Sequence, residues 1–175
     1  MIRSIGSSGQ PGRPGVAGRA AARLAAVQAL YQLKMTGEGV EAVIDDFMTH
    51  RLAGPDRDPE VPELDKADRD FFRDLVEGVA SQADTLDDML TAVLAEDWPV
   101  ERLESVLGLI LRAGAFELGH RPEVPPRVVV SQYVDLAHAF LDDKQTAMVN
   151  GVLDRLARHL RPEEFAGEAL PDLAG

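Results

Sequence analysis

The residues of this chain that could carry chemistry are few and scattered. The four histidines, His50, His120, His138 and His159, lack the His-Glu-x-x-His spacing that places two imidazoles and a base on one helix face. The chain has no Cys, which excludes disulfides and thiolate metal sites. It also lacks a Gly-x-Ser-x-Gly elbow, a P-loop and a dinucleotide fingerprint. We therefore expect a binding protein with no catalytic residues, no metal site and no cofactor.

Charged residues in the more apolar segments have structural explanations. Arg112 lies in a very apolar stretch with Glu117 a turn and a half further on, and a buried guanidinium needs a carboxylate or carbonyls. We expect a structural ion pair there. Asp84, Asp87 and Asp88 are interpreted as a solvated helix face.

The charge of the chain is distributed unevenly. The formal net charge is −12, yet the first 35 residues contain no Asp or Glu and carry +5, which leaves −17 for the remainder. An acidic protein repels nucleic acid at long range, whereas a local basic end can bind phosphates. Solubility alone is the competing explanation of this asymmetry. The basic residues of this region are Arg3, Arg13, Arg19, Arg23 and Lys34.

Most of these basic residues fall on the segment Ala17 to Met35, which we expect to be the central helix. The segment is rich in Ala, the strongest helix former. Its apolar residues, among them Leu24 and Leu30, fall on more than one side, so several neighbouring elements should cover it. Arg19 and Arg23 are i,i+4 neighbours. The segment is either a core helix with a solvated basic end or a binding edge.

Apolar residues spaced by three and four predict six further helices. Gly54-Pro55 and the prolines up to Pro62 mark an exposed loop between the second and the third helix. Val128 to Val130 alone could be a strand, but the longer register is helical. The predicted helices begin near Gly39, Asp65 to Asp68, Asp84, Pro99, Val129 and Lys144.

Details within these helices carry further expectations. Gly108 and Gly114 should allow close helix contacts, and Gly119 suits a C-cap. Arg158 and Arg161 near the end of the seventh helix, with Arg155, complement its dipole.

The predicted fold class is all-α, with about seven helices. The Gly- and Pro-rich residues 1–16 should form a flexible arm, residues 17–161 the helical domain, and residues 162–175 a C-terminal tail. No apolar run is long enough to span a membrane, and the N-terminus lacks the apolar core of a signal peptide. We therefore expect a cytoplasmic protein without a membrane partner.

Five stretches carry a combined signal. They are Ala26 to Tyr31 (AVQALY), Phe71 to Val79 (FFRDLV with GV), Leu111 to Leu118 (LR with FEL), Glu123 to Val128 (EVP with V) and Met148 to Asp154 (MVNGVLD). In their order and spacing they resemble the NusB family of bacterial transcription antitermination factors, over about Arg19 to Arg161. The closing Val-Asn-Gly-Val-Leu-Asp is the most specific part.

The resemblance implies an all-α fold of two small packed helical bundles, here about residues 17–82 and 83–161. It also implies a function. Members of the family pair with the small-subunit ribosomal protein NusE, and the pair binds the boxA element of nascent RNA. With other Nus factors the pair helps RNA polymerase read through ribosomal RNA operons. Some members form homodimers, and a homodimer stays open for this chain.

The resemblance implies RNA-binding residues on the first helix. Arg19 and Arg23 match the basic patch of the family, whereas Ala20 and Ala21 stand at positions that are often basic. Gln28 and Tyr31 match residues on one face of the same helix in the family. Tyr31 either faces RNA or fills the core.

Other binding positions of the family have approximate counterparts in this sequence. Met148 stands where well-known members have an RNA-contacting aromatic residue, and Met packs on a base but cannot stack as a ring. Lys144 could compensate at the start of the same helix, as could Arg3 and Arg13 in the arm. The family places the ribosomal-protein surface around the fifth helix, which suggests Glu101, Arg102 and Ser105.

Two alternatives stay open. One is the RNA-binding accessory region of a ribosomal RNA cytosine methyltransferase, although a chain that ends at Gly175 leaves no room for the catalytic domain and has no Cys. The other is a helical module that binds only protein, which the reduced basic patch favours.

Overall fold

The computed structural model describes residues 15–52, 64–94 and 106–168. Within these residues there are seven α-helices and no strand, and this confirms the all-α fold class. A π-helical turn at Phe47–Arg51 continues the second helix, and 3-10 turns occupy Leu64–Lys66 and Pro162–Phe165. The helices are α1 (Val16–Thr36), α2 (Val40–Asp46), α3 (Arg69–Ser81), α4 (Ala83–Thr91), α5 (Val106–His120), α6 (Pro126–Phe140) and α7 (Asp143–Leu160).

Local sequence explains where several helices begin and end. α1 ends at Gly37, whose φ of 69° lies in the left-handed region that glycine adopts without strain. Asp68 caps α3 by accepting a hydrogen bond of 3.1 Å from the Phe71 amide. Asp142 caps α7 and forms a reciprocal capping box with Gln145.

The expected boundaries of α5 and α6 are only partly correct. Gly119 does not cap α5, because the helix continues to His120. The predicted start of this helix near Pro99 lies outside the described residues. Val128 to Val130 are helical within α6, as the longer register predicts.

The core lies between α1, α3 and the three helices α5, α6 and α7. α1 contacts α2, α3 and α5, so the expectation of a helix covered by several neighbours is confirmed. Its inner face is lined by small side chains without solvent exposure, which lets neighbouring helices approach closely. These side chains are Ala22, Ala25, Ala26 and Ala29.

Two glycines mark the closest helix contacts. A Cβ atom on Gly114 would lie 2.8 Å from a methyl carbon of Leu153, so the close helix contact predicted at Gly114 is present, and its partner is α7. A Cβ atom on Gly78 would overlap the ring of Phe116, so α3 lies close against α5 at this point. The contact at Gly114 was predicted from the sequence, and the contact at Gly78 was not.

We expected Arg161 to complement the dipole of α7. Its guanidinium instead donates hydrogen bonds to another element. Its buried guanidinium donates to the carbonyl oxygens of Leu118 (2.7 and 3.0 Å), Arg121 (2.9 Å) and Val124 (2.6 Å). These carbonyls belong to the end of α5 and to the connection that follows it, where helical partners run out. Arg161 therefore holds the end of α7 against the end of α5.

The first residues after α7 pack on the domain. Phe165 is buried, with the guanidiniums of Arg127 and Arg158 at 5.3 and 4.6 Å from its ring centroid. Both arginines also form ion pairs with Glu168. The sequence carries no periodic signal for so short a turn.

The close packing at Gly78 can be tested by a substitution that adds a single methyl group. We expect Gly78→Ala to lower the free energy of unfolding by about 1–3 kcal/mol, since the added Cβ overlaps the Phe116 ring. The matched control is Gly151→Ala in α7, where nothing lies within 4 Å of the added Cβ and stability should stay equal or rise by up to ~1 kcal/mol. Denaturant unfolding measures both, and equal stability of the two variants would contradict the packing.

Candidate nucleic-acid interface

Arg23, predicted as an RNA contact, is an interior residue. Its side chain is 3% exposed, and its Nε and Nη2 donate to the two carboxylate oxygens of Glu117 at 2.9 and 2.5 Å. Nη1 lies 3.5 Å from the amide oxygen of Gln132. Glu117 is 0% exposed, so the pair is a bidentate salt bridge shielded from water.

Tyr133 completes this buried network. Its hydroxyl donates a hydrogen bond of 2.8 Å to Glu117. Burial, together with the adjacent Glu117 carboxylate, raises the pKa of Tyr133 well above its usual value. Burial acts to lower the pKa of Arg23, but the hydrogen bond and charge of Glu117 outweigh it and the net shift is upward. The network therefore joins α1, α5 and α6 through a charged guanidinium and a neutral phenol.

This geometry argues against Arg23 as a phosphate contact. To reach an RNA phosphate, Arg23 would have to leave Glu117 and uncover a buried carboxylate, which costs several kcal/mol. The i,i+4 spacing with Arg19 suggested one basic stripe, but the wide packed face of α1 includes Arg23. We therefore assign Arg23 a structural role.

The expected partner of Arg112 is also wrong. Arg112 Nε donates to Asp87 of α4 at 2.6 Å, and Glu117 is engaged with Arg23. A structural ion pair is present, as predicted, but it joins α4 to α5. Asp87 is consequently not a simple member of a solvated face.

Arg19 lies at the accessible end of α1. Its side chain is 33% exposed, and its Nε is 4.0 Å from the Asp68 carboxylate. The guanidinium stands 5.0 Å from the ring centroid of Phe71, and Arg23 approaches the same ring at 5.1 Å. Cation–π contact and a long ion pair leave Arg19 able to contact a phosphate.

Arg121 approaches the same ring and was missed by the sequence analysis. Its guanidinium is 4.8 Å from the Phe71 centroid, and its Nε is 3.4 Å from Asp74 and 3.5 Å from Glu123. It follows α5 in the chain, far from the basic N-terminal region. No local pattern relates it to Arg19, because only packing brings the two together.

The outer face of α1 carries an exposed aromatic ring. Tyr31 is 45% exposed, which resolves the choice between core and surface in favour of the surface. Met35, one turn further on, is exposed as well. Gln28 is half-buried, and its side-chain oxygen is buried without a hydrogen-bond partner.

The residues predicted on α7 lie near its beginning. Lys144 is exposed in the first turn, and Met148 is half-buried and packs against the core. Arg3, Arg13 and the suggested protein-partner residues Glu101, Arg102 and Ser105 lie outside the described residues.

An open groove of about 350 Å³ runs between α1 and α6. Small and apolar side chains line it, and Gln132 and Asp135 add polar groups. Arg23 also reaches its wall, but its charge is directed at Glu117. The apolar lining residues are Ala20, Leu24, Leu136 and Ala139.

The described residues also bear on the type of site. Across residues 15–52, 64–94 and 106–168, no three His, Asp or Glu side chains are grouped so that they could hold a metal ion. Within the same residues, no helix combines the length and apolar character that crossing a membrane requires.

Fold and site together define an all-α protein with an accessible arginine, Arg19, near the start of its first helix and a buried ion pair, Arg23 with Glu117, in its core. The model of the NusB family matches residues 20–158, most of the chain. This chain belongs to the NusB family.

The similar proteins agree. The transcription antitermination protein NusB of Bradyrhizobium diazoefficiens is 47% identical over 146 residues, which cover 83% of this chain and 86% of that protein. A solved structure of T. maritima NusB is 24% identical to this chain, with coverage of 84% of this chain and 96% of that one, and a TM-score of 0.66. A structure of NusB and NusE in complex with double-stranded RNA is 23% identical over 83% of this chain and 99% of its own, with a TM-score of 0.67.

The buried network is tested by Glu117→Gln. Removing the carboxylate leaves the Arg23 guanidinium buried without its counter-charge, so we expect the free energy of unfolding to fall by about 3–5 kcal/mol. Tyr133→Phe removes one hydrogen bond to the same carboxylate and should cost only about 1–3 kcal/mol. Urea unfolding followed by circular dichroism measures both variants. A Glu117→Gln protein no less stable than Tyr133→Phe would contradict a charged pair in the interior.

Proposed function

We propose that this protein is a transcription antitermination factor that binds boxA RNA together with the ribosomal protein NusE and promotes read-through of ribosomal RNA operons. The match to the NusB family over residues 20–158 carries the proposal. Other Nus factors and RNA polymerase complete the assembly. The protein acts by binding, without a catalytic step of its own.

The RNA surface that we propose begins at Arg19 and includes Tyr31 on the outer face of α1. Arg19 offers a cation that is one-third exposed, and Tyr31 offers a ring on which a base can stack. Gln28 lies one turn before Tyr31, and its unpartnered side-chain oxygen is buried, so a small reorientation would be needed before it could bind a base edge.

Lys144 and Met148 form the part of the proposed RNA surface that lies on α7. Lys144 is exposed and supplies a second positive charge. Met148 is half-buried and can pack its thioether on a base, but without the geometry of an aromatic stack.

Electrostatics limit how tightly these residues alone can hold RNA. Arg19 and Lys144 neutralise about two phosphates, for which the log–log salt dependence on single-stranded RNA is only about −1.4. The net charge of −12 opposes association at long range. Useful affinity therefore depends on NusE, which adds contacts of its own.

The surface for NusE is proposed around the start of the fifth helix, at Glu101, Arg102 and Ser105. A stable interface of standard size buries about 1,600 Å² in total, so these three residues would be a minor part of it.

A second candidate is a helical module that binds only protein. The burial of Arg23 favours it, since one of the two basic residues expected on α1 is unavailable to a phosphate. RNA binding measured with and without NusE separates the two functions.

The first test is an RNA shift assay with boxA RNA and a scrambled RNA, each with and without NusE. We expect selective binding of boxA RNA that is strengthened by NusE. Arg19→Gln should weaken binding about fourfold near 0.15 M salt and flatten the salt slope by about 0.7, the value of one phosphate contact. Binding of NusE with no RNA binding in any combination would favour the protein-only module.

A second variant probes α7. Met148→Phe supplies a ring where Met148 packs, and stacking on a base is worth about 1–3 kcal/mol, so boxA RNA should bind at least fivefold more tightly. Met148→Leu is the matched control, because it keeps an apolar side chain of similar volume without a ring. Equal RNA affinity of the two variants, measured by fluorescence anisotropy, would remove Met148 from the RNA surface.

A further inference from the structure

A second group of cations lies beside Arg19, although its members are distant in sequence. Arg51 belongs to the π-helical turn after α2, Lys66 to the 3-10 turn before α3, and Arg69 to the first position of α3. All three side chains are exposed. We call Arg51, Lys66 and Arg69 the α2–α3 basic edge.

Backbone and side-chain contacts join this edge to the start of α1. The Asp68 amide donates a hydrogen bond of 2.9 Å to the Gly18 carbonyl, and the Asp68 carboxylate faces Arg19 at 4.0 Å. Arg69 follows Asp68 directly, and Lys66 precedes it by two residues. The α2–α3 basic edge therefore begins where the exposed basic end of α1 lies.

The same edge extends to the end of α2. Arg69 Nη2 donates a hydrogen bond of 2.8 Å to the Leu52 carbonyl, so the first turn of α3 holds the residue that follows Arg51. This bond uses one of the five guanidinium N–H groups, and the others can serve an anion.

The π-helical turn determines where Arg51 lies. The Leu52 amide donates to the Phe47 carbonyl at 2.8 Å, which closes the turn. The Arg51 guanidinium lies 4.7 Å from the Phe47 ring centroid, and Phe47 stacks on Phe72 of α3 at 5.6 Å. Single π-helical turns are rare and frequently occur at functional sites. Here the turn presents a cation on a rigid aromatic support.

The acidic residues with described side chains within five positions of Arg51, Lys66 or Arg69 are Asp46, Asp68, Asp70 and Asp74. Asp68 and Asp70 are the acidic neighbours of Arg69 in sequence, and Asp68 is already occupied by the Phe71 amide and Arg19. On a chain with a net charge of −12, a local group of exposed cations can still attract a polyanion.

We propose that the RNA surface continues from Arg19 along the α2–α3 basic edge to Arg51, so that successive phosphates of single-stranded RNA contact Arg19, Arg69 and Arg51. The proposal rests on the RNA-binding function proposed above and adds a path for the strand. This path supplies charge that α1 lacks at Ala20 and Ala21. With Lys144, four phosphate contacts would give a salt slope of about −2.8 on single-stranded RNA.

The test is the double variant Arg51→Gln with Arg69→Gln, in the full chain with NusE and boxA RNA. We expect RNA affinity near 0.15 M salt to fall on the order of tenfold, and the log–log salt slope to flatten by about 1.4. The control is Arg127→Gln, which removes one positive charge, where the double variant removes two, from an exposed arginine that contacts Phe165 and Glu168. It should leave RNA affinity and salt slope unchanged.

Arg69→Lys separates the charge of Arg69 from its structural role. This variant keeps the positive charge but loses the planar guanidinium that bonds to the Leu52 carbonyl. In the Arg51 wild-type background, Arg69→Lys should retain RNA affinity within twofold and Arg69→Gln should not. Thermal melts and NusE binding of every variant must stay near those of the wild type.

Different results overturn different claims. If the wild type binds boxA RNA and the double variant binds it with equal affinity and salt slope, the α2–α3 basic edge is not part of the RNA surface, while the proposed function stands. If the wild type with NusE binds no RNA, both proposals fail. Loss of NusE binding with unchanged RNA binding would assign the edge to a protein partner and overturn the proposal.

Discussion

The salt bridge between Arg23 and Glu117 is the constraint on which the arrangement of the helices depends. Both side chains are shielded from water, so neither tolerates the loss of the other. The bidentate contact joins α1 to α5, and the Tyr133 hydroxyl adds α6 to the same carboxylate. Dispersion and apolar burial hold these helices together, but they are not directional. The ion pair sets the rotation and register of α1, and with them the positions of Arg19 and Tyr31.

This use of Arg23 changes where positive charge is available. A helix that seemed to offer two arginines to a ligand offers Arg19, because Arg23 is inside the fold. In the proposed RNA surface, the cations beyond Arg19 come from the π-helical turn after α2, the turn before α3 and α3 itself. Hydrogen bonds of Asp68 and Arg69 assemble them. An acidic chain can thus build a basic surface from residues that no linear segment concentrates.

Arginines also hold together the elements around the end of α7, through hydrogen bonds to carbonyl oxygens and contacts with an aromatic ring. Arg161 satisfies carbonyl oxygens at the end of α5, where the helix leaves acceptors without partners. Arg158 and Arg127 enclose the Phe165 ring. In each case a planar guanidinium with several donors meets more than one requirement at once, which a lysine could not do. These contacts bring the residues that follow α7 onto the domain.

The sequence by itself determined the local structure and the family, since both depend on short-range patterns. Apolar spacing of three and four predicts the helices, Gly114 predicts a close helix contact, and the closing Val-Asn-Gly-Val-Leu-Asp indicates the NusB family. Only the tertiary structure decided which charges meet. Arg23 takes Glu117 and Arg112 takes Asp87 because the packing of α1, α4 and α5 brings those side chains together across long sequence separations, which helical periodicity does not encode. For the same reason the α2–α3 basic edge is invisible in the sequence, while Arg19, Lys144 and Tyr31 could be named from it. The ribosomal-protein residues near the start of the fifth helix stay predictions.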